Sequence, residues 1–166
     1  AGGAALCAWP RAHRGFLLQE WTVPRHEGEK LATLFDAGAV ADLQPTPDAG
    51  VYVGLTEPDG QLFRLDLRAE QPEPEPIARV DESGEGRVGQ RLGVAADGSV
   101  WLSRYPGRLV RCDPLHQHVD DAGPIPCPKG RGQHTQVAAW AAEPAGPLYG
   151  GASPDGLLFR LDPITG

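Results

Sequence analysis

Two Gly-Gln pairs carry the residues best suited to chemistry, Gly89-Gln90-Arg91 and Gly132-Gln133-His134. An imidazole titrates near neutrality, a guanidinium is a permanent cation, and the two carboxamides both donate and accept hydrogen bonds. Gathered at one mouth, these groups form a ligand-binding or acid–base site. In it His134 is the general acid or base, Arg91 stabilises developing negative charge, and Gln90 and Gln133 hold the ligand. The bland alternative is that all four are wetted loop residues. His116 and His118 in the run HQH share one side of an extended chain, a spacing acceptable for a metal pair. Their only nearby additions are Asp113, Asp120 and Asp121, so a solvated loop is expected and no metal site is assigned. An Arg-x-Asp triplet recurs as Arg64/Asp66, Arg111/Asp113 and Arg160/Asp162. Recurrence favours scaffolding: Pro follows Asp113 and Asp162, a turn signal in which the carboxylate accepts from backbone N–H groups just beyond it. No Gly-rich phosphate loop, nucleophile elbow or EF-hand pattern is found, and no cofactor is expected.

The elements that must position these groups repeat. Val51 to Asp66 (VYVGLTEPDGQLFRLD) returns as Val100 to Asp113 (VWLSRYPGRLVRCD) and as Leu148 to Asp162 (LYGGASPDGLLFRLD). Each copy reads as a β-hairpin, an apolar run leading into a Pro/Asp/Gly turn and a second run closing on Asp. The turn glycines Gly60, Gly107 and Gly156 lie 47 and 49 residues apart, and Gly15 takes the place of Gly60 in a more degenerate first copy. A further strand follows the hairpin at Leu31–Phe35 and Ile77–Val80. Another short apolar segment precedes it at Ala39–Leu43, Leu92–Ala96 and Thr135–Trp140.

Four short strands in about 40 to 50 residues is the size of a β-propeller blade. A four-stranded sheet with two apolar faces cannot bury both alone, and radial stacking covers them. In the third strand of the blade, Phe63, Leu65 and Leu67 point one way and Leu62, Arg64 and Asp66 the other, so the Phe63 face should press on a neighbouring blade. The expected architecture is therefore all-β, a partial propeller of about three and a half four-stranded blades. Its boundaries are 1–38 (three strands), 39–86, 87–132 and 133–166 (three strands). The Gly-Gln motifs then lead into the innermost strand of two blades. The proline-rich 71–76 (QPEPEP) and 124–132 (PIPCPKGRG) read as stiff, solvated loops.

Composition sets the outer limits. The chain has 166 residues with 22 Gly and 17 Pro, which points to many turns around one core. A net charge of −7 and scattered Lys and Arg argue against nucleic acid or an anionic membrane surface as partner. No apolar run approaches the ~20 residues of a membrane-spanning helix. Cys7, Cys112 and Cys127 cannot all pair within one chain; small buried hydrophobes are expected, with Cys112 in the place of Leu65 and Leu161, while a Cys112–Cys127 disulfide stays open. With no initiator Met and no leader, the chain reads as cut from something longer.

The blade cores SVWLSRYPGRLVRCDP and PLYGGASPDGLLFRLDPITG resemble those of the streptogramin lyase-like and NHL-type propellers. Repeats of that group run as a DG turn, a V-W or L-Y strand, a Gly turn and a strand ending in D-P-x-T-G. The resemblance implies a central channel as ligand site and, in the lyases, a catalytic His in a loop facing it, for which His134 is the positional match. Two functions are expected from it: a module binding a small-molecule, saccharide or protein ligand, or a lyase or hydrolase of a small or saccharide-like substrate using His134. Unpaired strand edges further imply that additional blades, or a second copy, complete the ring.

Overall fold

The computed structural model describes residues 4–10, 16–22, 27–34, 40–46, 48, 50–55, 60–70, 72–80, 91–127, 136–154 and 156–164, the first three stretches and Leu55 as backbone alone. These residues form strands and turns without a helix. The strands, in chain order, are β1 (Ala4–Pro10), β2 (Phe16–Thr22), β3 (Glu27–Leu34), β4 (Val40–Pro45), β5 (Gly50–Leu55), β6 (Gln61–Asp66), β7 (Glu75–Arg79), β8 (Gly93–Val94), β9 (Val100–Arg104), β10 (Arg108–Asp113), β11 (His118–Pro124), β12 (Gln136–Ala142), β13 (Leu148–Ser153) and β14 (Leu157–Leu161). They pair antiparallel into four consecutive sheets, β1-β2-β3, β4-β5-β6-β7, β8-β9-β10-β11 and β12-β13-β14.

The hairpins share their local chemistry. Gly60, Gly107 and Gly156 all take positive φ, at 59°, 75° and 66°, a conformation that costs a residue with a Cβ. Asp66, Asp113 and Asp162 each accept a backbone N–H two residues on, from Arg68 at 2.9 Å, Leu115 at 3.0 Å and Ile164 at 2.9 Å. The Arg-x-Asp aspartates are thus turn caps, as the sequence suggested. Before each hairpin a tight turn closes with a backbone bond, Thr46 N–H to the Gly50 carbonyl (2.9 Å), Ala95 to Ser99 (2.9 Å) and Glu143 to Pro147 (3.2 Å), the last two turns with a second bond inside them, Gly98 N–H to Ala95 (3.0 Å) and Gly146 N–H to Glu143 (3.3 Å).

Several bounds differ from the sequence expectation. β8 has two residues rather than five, and β12 runs two residues beyond Trp140. Glu75 and Pro76, expected in a loop, begin β7; its place at the sheet edge allows a residue with no N–H to donate. His118 likewise belongs to the edge strand β11, whereas His116 sits in the preceding turn.

Both faces of the inner sheets are buried. In the β5/β6 pair, Val51 stands opposite Leu65 and Val53 opposite Phe63 on one face, all buried. On the other, Tyr52 and Leu62 pack with Val100, Leu102, Val110 and Cys112 of the third sheet, so it is the Leu62 face that makes this inter-sheet contact. The third sheet turns Trp101 and Leu109 toward Val137, Leu148, Ala152, Phe159 and Leu161 of the fourth. Fully burying an aliphatic side chain is worth roughly 1.5–3 kcal/mol, so these two seams supply the main force holding sheet to sheet. Hydrogen bonds cross the seams too: Leu92 N–H donates to Asp42 Oδ2 at 2.9 Å, and Val137 N–H to Ser103 Oγ at 2.9 Å.

Candidate functional site

The first strands of three successive sheets converge on one cleft of about 480 Å³. Its walls are the end of β4 (Gln44, Pro45, Thr46), the backbone from Leu92 through Ala96, and the end of β12 from Trp140 to Pro144. Small residues make the space, because Gly93, Ala95, Ala96, Ala141 and Ala142 line it with at most a methyl group each. Gly93 also seats the indole: a Cβ at this position would lie 2.9 Å from the Trp140 ring. That ring meets Phe159 edge-on, with centroids 5.8 Å apart and planes at 81°, and its Nε1 is buried without an acceptor. The ring's position is fixed by packing.

The Gln44, Thr46 and Glu143 side chains of the wall are engaged within the protein. Gln44 Nε2 donates to Asp42 Oδ2 (3.2 Å), the Thr46 hydroxyl donates to Asp48 (2.6 Å) and accepts the Gly50 N–H (2.7 Å), and Glu143 Oε1 accepts the Tyr149 hydroxyl (2.9 Å). The Glu143 carboxylate beside it, chiefly through that hydrogen bond, raises the Tyr149 phenol above its ordinary range. The cleft therefore offers an aromatic ring whose Nε1 lacks an acceptor, small apolar surface, and Gln44, Thr46 and Glu143 side chains that already have partners. It is suited to holding a ligand by shape.

Of the four residues singled out from sequence, the structure describes Arg91; Gln90, Gln133 and His134 lie outside the described residues. Arg91 precedes β8, is half-exposed and faces Asp42 Oδ1 at 3.5 Å. It is not among the residues lining the cleft. Asp42, with its side chain only 12% exposed, is instead the hub here, accepting from Leu43 N–H (3.0 Å), Gln44 and Leu92. His116 and His118 do not act as a pair: His116 Nδ1 bonds Asp113 at 2.8 Å, and His118 Nε2 bonds Asp120 at 2.9 Å. Sequence reasoning passed over Trp140 and Asp42. The signals were an indole in the Ala-rich run QVAAWAA and a lone carboxylate in the apolar run AVADL.

A second, more polar groove of similar size is lined by Asp97, Trp101, Arg111, Asp120, Asp121, Ala122, Pro163 and Ile164. Its charges are paired: Arg111 with Asp97 (3.2 Å) and Asp120 (3.9 Å), Arg104 and Arg108 with Asp121 (3.2 and 2.6 Å). The hydrogen bond from Arg108 holds Asp121 below the usual carboxylate range against the opposing effect of burial, with the Gly123 N–H adding to it. Burial pushes Asp97 up, yet its hydrogen bonds from Ser99 and Arg111 outweigh this and leave it low.

No family model matches the chain, and no curated protein matches it. Among solved structures, the chain is similar over 98% of its length to part of a chain described as the puromycin hydrolase S511A mutant complexed with PGG, with a TM-score of 0.63 and 18% identity. It spans about a quarter of that chain, 26%. At this identity the likeness concerns the fold alone, and it suggests a propeller for the succession of antiparallel sheets.

Proposed function

We propose that this chain is a propeller segment that works as a ligand- or protein-binding module, with the ligand in the cleft between the first strands of successive sheets. The observation that carries this reading is the cleft itself, about 480 Å³ of space between β4, β8 and β12, with a fixed indole and no polar side chain lacking an internal partner among Gln44, Thr46 and Glu143. Catalysis needs a group poised to exchange a proton or attack; a wall whose Gln44, Thr46 and Glu143 side chains already have partners within the protein favours retention without reaction. The expected ligand is a small molecule, a saccharide or a peptide side chain with one flat apolar face for Trp140.

A second reading is a lyase or hydrolase of a small or saccharide-like substrate, with His134 as general acid or base, Arg91 stabilising developing charge, and Gln90 and Gln133 as ligand contacts. The blade pattern shared with streptogramin lyase-like and NHL-type propellers, and the hydrolase named in the structural comparison, are what speak for it. The two separate by experiment. Saccharides and short peptides screened by chemical-shift perturbation should move resonances of Leu92–Ala96 and Trp140–Glu143, and Trp140→Phe should weaken binding. Turnover abolished by His134→Ala with binding intact supports the enzyme; hits that ignore both groups of residues sink the cleft as the site.

A further inference from the structure

The three tight turns beside the cleft are built alike, so their residues can be compared place by place. Each opens on the residue whose N–H closes it, Thr46, Ala95 or Glu143, and all three of these line the cleft. In the second and third sheets an acid comes two positions later and turns to an arginine, Asp48 to Arg64 at 2.6 Å and Asp97 to Arg111 at 3.2 Å. The fourth sheet has Ala145 in that place, and its acid is the opening residue itself. The carboxylate has thus moved from an arginine partner to the cleft wall.

Glu143 is the one ionisable side chain among the described residues that line the cleft. Its Oε1 accepts the Tyr149 hydroxyl at 2.9 Å, and Gly146 leaves room for its Oε2, since a Cβ there would lie 2.7 Å from that oxygen. Arg91 faces Asp42, and Arg160 hydrogen-bonds Tyr149; neither lines the cleft. Among the described residues no cation forms an ion pair with Glu143. Trp140, three positions earlier, lines the same space, and an indole attracts a cation through its ring quadrupole. A carboxylate without a counter-cation and an aromatic ring therefore share one wall, which makes that wall complementary to a cation with apolar surface of its own.

We propose that the cleft takes a small organic amine, with its ammonium group between the Glu143 carboxylate and the Trp140 indole and its apolar part against Ala95, Ala96, Ala141 and Ala142. This assignment rests on the cleft being the binding site and names the charge of what binds there. The ammonium offers N–H donors to the carboxylate, and the small side chains leave the volume for its hydrocarbon part.

The test is an NMR titration of the full chain at about pH 7 with phenethylamine, which is protonated there, and with 2-phenylethanol, which has the same ring and no charge. The amine shifts the resonances of Leu92–Ala96 and Trp140–Glu143 and binds about three- to ten-fold more tightly than the alcohol, as an exposed ion pair and a cation–π contact together allow. Glu143→Gln keeps an acceptor for the Tyr149 hydroxyl and loses most of that preference, and an unchanged spectrum elsewhere confirms its fold. Equal binding of the two probes in the cleft overturns the amine and leaves the cleft standing as the site. A preference that survives Glu143→Gln, or no shift of cleft resonances by either probe at about 10 mM, also overturns it. So does tighter binding of Nα-acetyl-lysine amide, which presents the ammonium as a protein side chain would. Failure of the cleft itself shows separately, in a screen of saccharides and short peptides where no hit reaches its walls.

Discussion

Asp42 and Leu92 are fifty positions apart in the chain and joined at 2.9 Å, the carboxylate of one sheet accepting the main-chain N–H that leads into the next. The bond is made in a nearly enclosed place, with Asp42 only 12% exposed. Arg91 at 3.5 Å supplies the compensating charge from the solvent side. Inter-sheet packing and the approach to the cleft are thus fixed by the same side chain.

Asp42→Ala should accordingly destabilise the chain by about 1–3 kcal/mol, since it leaves a buried N–H without its acceptor. Arg91→Ala, which removes a half-exposed ion pair, should cost at most about 1 kcal/mol. Urea unfolding of the two variants, read from their midpoints, checks the order; equal losses would show that the ion pair and not the N–H bond matters.

Leu62, Leu109 and Leu158 hold the same hairpin position with 1%, 2% and 72% exposure. Leu62→Ala and Leu109→Ala should each cost about 2–5 kcal/mol, whereas Leu158→Ala should stay within about 0.5 kcal/mol. Thermal melts of the three variants distinguish this from a chain whose last sheet is covered in solution, for which Leu158→Ala would behave like its counterparts.

Gly93→Ala should push the indole aside, because the new methyl would meet the Trp140 ring at 2.9 Å. The expected loss is about 1–3 kcal/mol of stability together with a changed cleft. Near-ultraviolet circular dichroism and ligand titration report the two effects, and an unaltered spectrum would mean that the ring is not seated as described.

Asp48, Asp66, Asp97, Asp113 and Asp121 all titrate below the ordinary carboxylate value of 3.8 in the folded chain. For a group with a depressed folded value the unfolded chain binds more protons in acid, so the stabilisation is present above 3.8 and is lost as pH falls through the folded values. Urea midpoints should hold steady from about pH 7 to pH 5 and drop steeply below about pH 4. Asp121→Asn, which removes the partner of Arg104 and Arg108, should flatten part of that drop.

Cys112 is buried, and burial pushes its thiol up to about 12. Alkylation at about pH 8 should label the exposed Cys127 readily and Cys112 only at the rate of global opening, as peptide mapping would show. Prompt labelling of Cys112 would contradict the seam between the second and third sheets.

The hairpins were legible because their signals are local: an alternating run, a glycine forced to positive φ and an aspartate that caps the next turn. The succession of antiparallel sheets followed from how those signals recur. Strand limits were less so. β8 stops after Val94, and β7 takes in Pro76 because an edge makes no demand on its missing N–H. Asp42 and Trp140 were illegible for a deeper reason. Their roles come from Leu92, Gly93 and Phe159, neighbours on other strands that no sequence pattern announces. The Gly-Gln motifs drew attention to Arg91, but what Arg91 touches is Asp42, a partner brought near only by the stacking of sheets.

The tight turns that border the cleft, closed by Thr46 to Gly50, Ala95 to Ser99 and Glu143 to Pro147, are held by main-chain bonds and, in the first two, by the Thr46 hydroxyl on the Gly50 N–H, the Asp97 carboxylate on the Ser99 N–H and Gly98 at a φ of 84°. Side chains outside those anchors, such as those of Ala96, Pro144 and Ala145, can be exchanged through evolution without rebuilding the framework beneath them. Diversifying positions 96, 144 and 145 while leaving the strands, Asp97, Gly98 and Glu143 untouched is therefore the economical route to altering what this rim selects.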